Sequence, residues 1–226
     1  MNPSLTEILF ILDRSGSMAS LTEAAIASFN TFLREQAAEP GKARLTLVLF
    51  DDHYEVPIAS LPLPEITPID TTVYTARGMT ALLDAMGRGI DELGQRLAAL
   101  TEADRPGTVI VAVFTDGEEN ASHHYSWNDV TQRIRHQSEQ YKWHFLFLGA
   151  NQDAIATAAS IGITAANAAT YLADSHGFGA SGASVSRKAK AMRKFSSSQP
   201  LDAAEQADLN SPLADLVREE DDKRRK

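Results

Sequence analysis

Two hydrophobic rhythms alternate along the first 170 positions. Short unbroken apolar runs, such as Ile8-Leu9-Phe10, are separated by longer stretches where apolar residues return every three or four positions. The first kind suits strands buried on both faces; the second suits helices with one apolar face. Residues 6–12 predict the first strand. "LTEAAIASFNTFLREQAAE" then sets Leu21, Ala25, Phe29, Phe32 and Leu33 on one helical face, and Pro40-Gly41 ends it. "ARLTLVLFDD" and "HYEVPIASLPL" predict two strands joined by a gap short enough for a hairpin, hence antiparallel, with Pro57 suiting an edge. From Thr80 onward, Leu83, Met86, Ile90, Leu93, Leu97 and Leu100 predict a long amphipathic helix. "TVIVAVFTDG" reads as the most buried strand. "SWNDVTQRIRHQSEQY" reads as a helix with Trp127, Val130, Ile134 and Tyr141 on its apolar stripe. "KWHFLFLGA" predicts another strand, and "NQDAIATAASIGI" a helix stopped by Gly162, with a short edge strand after it.

Strands alternating with helices imply an α/β fold: a doubly wound, mostly parallel sheet with one antiparallel edge strand and helices on both faces. Residues 1–170 carry that pattern and read as one domain. Residues 171–195 read as an extension, a loop "SHGFGASGASVS" followed by a basic helical patch. There Arg187, Lys188, Lys190, Arg193 and Lys194 suit a solvated face that balances an acidic chain. Residues 196–226 read as a polar tail. Within it Ser211-Pro212 suits a helix start, and Leu209, Leu213, Leu216 and Val217 form a small apolar stripe, open to docking, partner binding or disorder.

Composition narrows the classes. At 226 residues and 43% hydrophobic content the chain can bury a real core, and its formal charge of -9 disfavours nucleic acid as a partner. With no cysteine, disulfides, thiolate metal sites and cysteine nucleophiles are excluded. The N-terminus lacks a basic signal-peptide region, and no run approaches the roughly 18 apolar residues of a membrane span. The expectation is a soluble, cytoplasmic protein without a membrane partner; nothing in the chain specifies an oligomeric state.

Candidate chemistry sits at strand ends, where open α/β sheets gather ligand groups. "DRSGS" follows the first strand and offers Asp13, Ser15 and Ser17. "RGMTALLDA" puts Thr80 before the long helix, and "FTDGEEN" puts Asp116 at the end of the most apolar strand. Each alone could be a cap or turn. Together they form a set of hydroxyl and carboxylate oxygens suited to a hard cation, with two carboxylates against one dication. Such a set favours Mg²⁺ or Mn²⁺ over Ca²⁺, though Ca²⁺ is compatible. Asp51-Asp52-His53 reads as a hairpin turn rather than a second metal cluster, and His123-His124 as loop residues.

The arrangement D-x-S-x-S at 13–17, a threonine at 80 and T-D-G at 115–117 resembles the von Willebrand factor A domain family and its metal-ion-dependent adhesion site. "LDRSGSM" and "FLGANQDA" further resemble the small stand-alone intracellular members of bacteria and phages. The resemblance covers roughly residues 5–170. It implies a Rossmann-like fold and a metal held by Asp13, Ser15, Ser17, Thr80 and Asp116, the serines and threonine directly and the aspartates directly or through water. It further implies a non-enzymatic module that presents the ion to an Asp or Glu of a protein partner, in a bacterial stress-response or phage-related setting. Arg14, Met79, Glu118 and Asn120 are expected to form the partner-binding rim. The competing reading is a metal-dependent hydrolase or phosphotransferase with Asp13 as nucleophile. Such enzymes often carry a second acid two residues on, a position held here by Ser15, and the motif segments contain no lysine.

Overall fold

The apolar run at residues 8–12 becomes the centre of the sheet, each of its side chains at most 3% exposed. The computed structural model describes residues 1–150 and 154–226. Six strands form one sheet: β1 (Asn2–Asp13), β2 (Lys42–Phe50), β3 (Tyr54–Pro62), β4 (Pro106–Thr115), β5 (His144–Ala150) and β6 (Ala168–Tyr171). Their spatial order is β3-β2-β1-β4-β5-β6. All neighbours run parallel except β2 and β3. The antiparallel edge strand is therefore where the hairpin gap places it, and the fold class is the doubly wound one. In β3 the register shifts near Ser60, whose φ of 47° bends the edge away from regular pairing.

Because strand side chains alternate between faces, β1 serves two cores. Ile8, Phe10 and Leu12 face α1 (Thr22–Ala38), packing with Phe29 and Phe32. Leu9 and Ile11 face α2 (Leu82–Ala98) and α3 (Trp127–Tyr141), packing with Met86, Ile90 and Ile134. The stripe expected on α3 is shorter than the sequence suggests. Val130 and Ile134 are buried, whereas Trp127 and Tyr141 stand exposed at its two ends. The helix expected after β5 appears as α4 (Ala154–Ser160), with Gly162 beyond it at φ 83°. The 151–153 part of that expectation lies outside the described residues, as does part of the "FLGANQDA" likeness.

The C-terminal third departs most from the sequence reading. The loop expected at the start of 171–195 is one helix, α5 (Ser175–Ser196), and the polar tail 196–226 folds into α6 (Ala203–Asn210) and α7 (Leu213–Arg224). Small residues explain how closely the helix packs. A Cβ on Gly182 would meet the Ser28 side chain of α1, so the two helices approach closely only because position 182 has none. Phe178 of α5 reaches the sheet, its ring centroid 5.8 Å from that of Phe114 and 5.4 Å from that of Tyr171. Leu213 and Val217 of α7 belong to the same core, and Leu216 is buried beside them. The core therefore does not stop at residue 170. The cap also moves by one place, since Pro212 rather than Ser211 precedes α7.

The basic patch is likewise not a solvated face. Arg187 pairs with Asp208, Glu219 and Glu220; Lys190 with Glu39; and Lys194 with Glu205. Lys188 and Arg193 are buried: Lys188 donates to the Ser211 carbonyl at 2.7 Å and Arg193 to the Gln36 carbonyl at 2.7 Å. These cations fasten α5 to α1, α6 and α7. Among the described residues no helix is long and apolar enough to cross a membrane.

One glycine gives a clean test of this packing. A Cβ on Gly177 would press into the Leu172 backbone, 2.9 Å from its nitrogen and closer still to its carbonyl oxygen. Gly177→Ala gains up to about 1 kcal/mol of helix propensity, but overpacking costs about 1 to 3 kcal/mol. The expected outcome is a lower thermal midpoint; a midpoint raised above that of the natural chain would refute the close approach.

Candidate metal centre

The strands β1 and β4 lie side by side at the centre of the sheet, with Leu12 opposite Phe114. Their carboxyl ends therefore bring Asp13 and Thr115 together, where the strand order reverses and a crevice opens. Asp13 is fully buried. Its Oδ1 accepts the Ser15 N–H at 2.7 Å and its Oδ2 accepts the Thr115 hydroxyl at 2.6 Å. Ser15 Oγ lies 3.0 Å from Ser17 Oγ, and Ser17 Oγ donates to Asp116 Oδ1 at 2.6 Å. Thr80 closes the group from a third segment: a Cβ on Gly117 would lie 2.6 Å from Thr80 Oγ1 and 3.4 Å from Ser17 Oγ. The five sequence-predicted residues thus converge. Gly117 is what lets Thr80 and Ser17 approach the same point.

Supports that the sequence does not reveal hold these segments. Tyr74 donates its hydroxyl to the Asp13 carbonyl at 2.7 Å, and Tyr171 to the Thr115 carbonyl at 3.1 Å; both are buried. Asn120 brackets Thr80, its side-chain oxygen accepting the Thr80 N–H at 2.9 Å while its own N–H donates to the Thr80 carbonyl at 3.0 Å. Glu119 accepts from the amides of Leu83, Ala121 and Ser122, so it caps the start of α2.

Burial pushes the Asp13 carboxyl up to about 6; the hydrogen bonds from Thr115 and Ser15 oppose that, and the Asp116 charge adds to it. Asp116 is also raised, again chiefly by burial. Two carboxylates held close in a shielded pocket with three hydroxyls are costly as bare anions. The same donor set, all hard oxygen, fits a divalent cation of the Mg²⁺ or Mn²⁺ kind.

The expected rim divides. Met79, Glu118 and Asn120 are exposed, Met79 by 54%. Arg14 is 3% exposed and turned into the protein, with Asp51 and Glu55 taking its guanidinium, so its expected place on the rim is corrected to an internal one. Asp51, Asp52 and His53 do have ligand atoms within 4.8 Å of one another. However, Arg14 and Arg77 already balance the Asp51 carboxylate, and its Oδ1 closes the turn by accepting the His53 N–H at 2.5 Å. The His123 and His124 amides are tied to Asp84 at 2.9 and 2.8 Å in a loop, as the sequence suggests.

No family model matches the sequence, and no curated protein matches it. Solved structures do match the fold. Proximal thread matrix protein 1 of the mussel byssus overlays with TM-score 0.54 at 15% identity, over 82% of this chain and 46% of that one. The von Willebrand factor type A protein from Catenulispora acidiphila overlays with TM-score 0.50 at 16% identity, over 85% of this chain and 42% of that one. The manganese-loaded TRAP protein of Plasmodium vivax overlays more loosely, with TM-score 0.48 at 17% identity over 66% and 58%. This chain spans roughly two to three fifths of the length of these structures. The fold is that of a von Willebrand factor A domain.

Proposed function

We propose that this von Willebrand factor A-like chain is a non-enzymatic binding module. It holds one divalent cation, Mg²⁺ or Mn²⁺, between Asp13, Ser15, Ser17, Thr80 and Asp116, and offers it to an Asp or Glu carboxylate of a protein partner. The carrying observation is the convergence of three hydroxyls and two carboxylates from three separate segments, the ends of β1 and β4 and the loop that leads into α2. Bound there, the ion would supply an electrophilic centre for an outside carboxylate. The chain's own task is to hold the donors still. The Ser15 amide and Thr115 hydroxyl orient Asp13, Asn120 fixes Thr80, and the two buried tyrosines fix the strand ends. Met79, Glu118 and Asn120 surround the opening.

The geometry favours this module over a hydrolase using Asp13. The hydrogen-bond partners of that carboxylate are the Ser15 amide and the Ser15 and Thr115 hydroxyls, none of them an acid or base, and both of its oxygens are engaged in a fully buried setting. A nucleophile needs an exposed oxygen and an acid or base in reach. Calorimetry with Mg²⁺ and with Mn²⁺ should show saturable one-site binding that Asp13→Ala removes. Unchanged binding in that variant, or metal-dependent turnover of a phosphoester lost in Asp13→Asn, would refute the reading.

Acid should weaken the ion's hold. Asp13 keeps its proton up to about pH 6 in the folded chain, against an ordinary value of 3.8. Without metal, its contribution to stability is therefore present below the ordinary carboxylate range and is lost as pH rises through about 6. Metal binding needs the carboxylate and runs the opposite way. Affinity for Mn²⁺ should fall about tenfold from pH 7.5 to pH 5 by calorimetry; a flat profile would show that Asp13 does not ligate as an anion.

A further inference from the structure

Beneath the candidate metal centre lies a cluster of two arginines and two carboxylates. Asp51 is fully buried at the end of β2; its Oδ2 lies 3.1 Å from Arg14 Nε and 2.8 Å from Arg77 Nε. Glu55 of β3 takes the far ends of both guanidiniums, 2.7 Å from Arg14 Nη2 and 2.7 Å from Arg77 Nη2. The hydrogen bond from Arg14 is the main cause that lowers the Glu55 carboxyl to about 2. The four charges cancel, and they join three segments of chain. Arg14 sits between Asp13 and Ser15, Arg77 lies three residues before Thr80, and Asp51 leads the β2–β3 turn.

The backbone is zipped along the same line. Arg77 N–H donates to the Arg14 carbonyl at 2.7 Å, Gly16 N–H to the Gly78 carbonyl at 3.1 Å, and Ala81 N–H to the Asp51 carbonyl at 3.0 Å. Gly78, at φ 69°, lies against the turn so tightly that a Cβ would collide with the Asp52 carboxylate. The segment 77–81 is thus held between the 13–17 loop and the 51–53 turn, and the paired charges lock both sides.

We infer that Asp51 is a positioning residue for the metal: through Arg14 and Arg77 it sets the spacing between the Ser15 and Thr80 hydroxyls without touching the ion. Its charge matters as well as its shape. Without that carboxylate, two guanidiniums face one remaining partner beside a dication, and both position and potential turn against the ion. Outer partners of this kind typically contribute about 10- to 100-fold in metal affinity.

The inference rests on the metal reading above, and one titration tells the two apart. Mn²⁺ alone is titrated into the full chain, Asp51→Asn, Arg77→Gln and the control Glu92→Gln, well below their melting temperatures. Amide hydrogen exchange of the metal-free chains is followed alongside. Asp51→Asn should bind about 10- to 100-fold more weakly, and Arg77→Gln should shift the same way. Arg77 is half exposed, so its variant keeps the test alive if Asp51→Asn fails to fold. Exchange at Gly16, Arg77 and Ala81 should quicken while α1 stays protected, and Glu92→Gln should match the natural chain. A natural chain that binds Mn²⁺ with both variants equally tight would overturn the positioning role and leave the metal centre standing. A natural chain that binds no Mn²⁺ would overturn both.

Discussion

A chain ending at Ser196 is expected to lose cooperative unfolding. The cut removes Leu213, Leu216 and Val217, at most 5% exposed, which cover α5 and the sheet edge beneath it. Burying one such side chain stabilises by about 1.5 to 3 kcal/mol, and the three together approach the 5 to 15 kcal/mol that typically separates a folded domain from its unfolded chain. The cut also takes Asp208, Glu219 and Glu220 from Arg187, and the Leu209 and Ser211 carbonyls from Lys188. Cations placed to fasten α6 and α7 would be left beside an uncovered apolar face. Thermal denaturation should show a broad or absent transition, with increased binding of a hydrophobic dye. The milder Leu213→Ala should cost about 2 to 5 kcal/mol by urea unfolding. If the truncated chain melts cooperatively within a few degrees of the full one, the terminal helices are an ornament and the core ends earlier.

Stripping the metal is expected to weaken a carboxylate-bearing partner by between roughly thirtyfold and a few thousandfold. In the proposed centre Asp13 and Asp116 would balance a dication without surplus, so an outside carboxylate would gain a strong contact and meet little repulsion. Losing one member of a close, desolvated charge contact typically costs about 2 to 5 kcal/mol, and each 1.4 kcal/mol or so is tenfold in affinity. Affinity capture in Mg²⁺ and again in EDTA identifies a partner, and titration with the purified partner measures the change. Ser15→Ala combined with Ser17→Ala should weaken binding in the same direction while circular dichroism stays unchanged, and converting the partner's acid to its amide should do likewise. Equal binding in EDTA would make the ion structural and move the interface elsewhere.

The sheet was legible because its signals are local. An unbroken apolar run can satisfy its backbone only between two other strands, and the alternation of runs and periodic stretches leaves little choice of architecture. The candidate metal motif was legible for a related reason: strand ends and helix starts gather at one edge of a parallel sheet, and the resemblance to a known motif joined Thr80, just before α2, to Asp13 and Asp116 at the strand ends.

Side-chain direction and helix-to-helix distance were not written in the chain. Arg14 follows the proposed ligand Asp13 in sequence, yet successive side chains at a strand end leave on opposite sides, and this one turns inward to Asp51. Tyr74 and Tyr171 carry no mark of their role, since each bonds a carbonyl more than fifty residues away. "GFGASGASVS" has the composition of a flexible linker, and the same small residues are what two closely packed helices need. Only the presence of Ser28 across the gap at Gly182 distinguishes the two. The basic stretch after it reads as a surface for want of visible partners; Glu39, Glu205, Asp208 and Glu220 reach it only once α1, α6 and α7 are packed around α5. Periodicity and strand-end chemistry are properties of a segment, and the sequence by itself determined those; whether a small or charged residue faces water or a neighbour is a property of the packed whole.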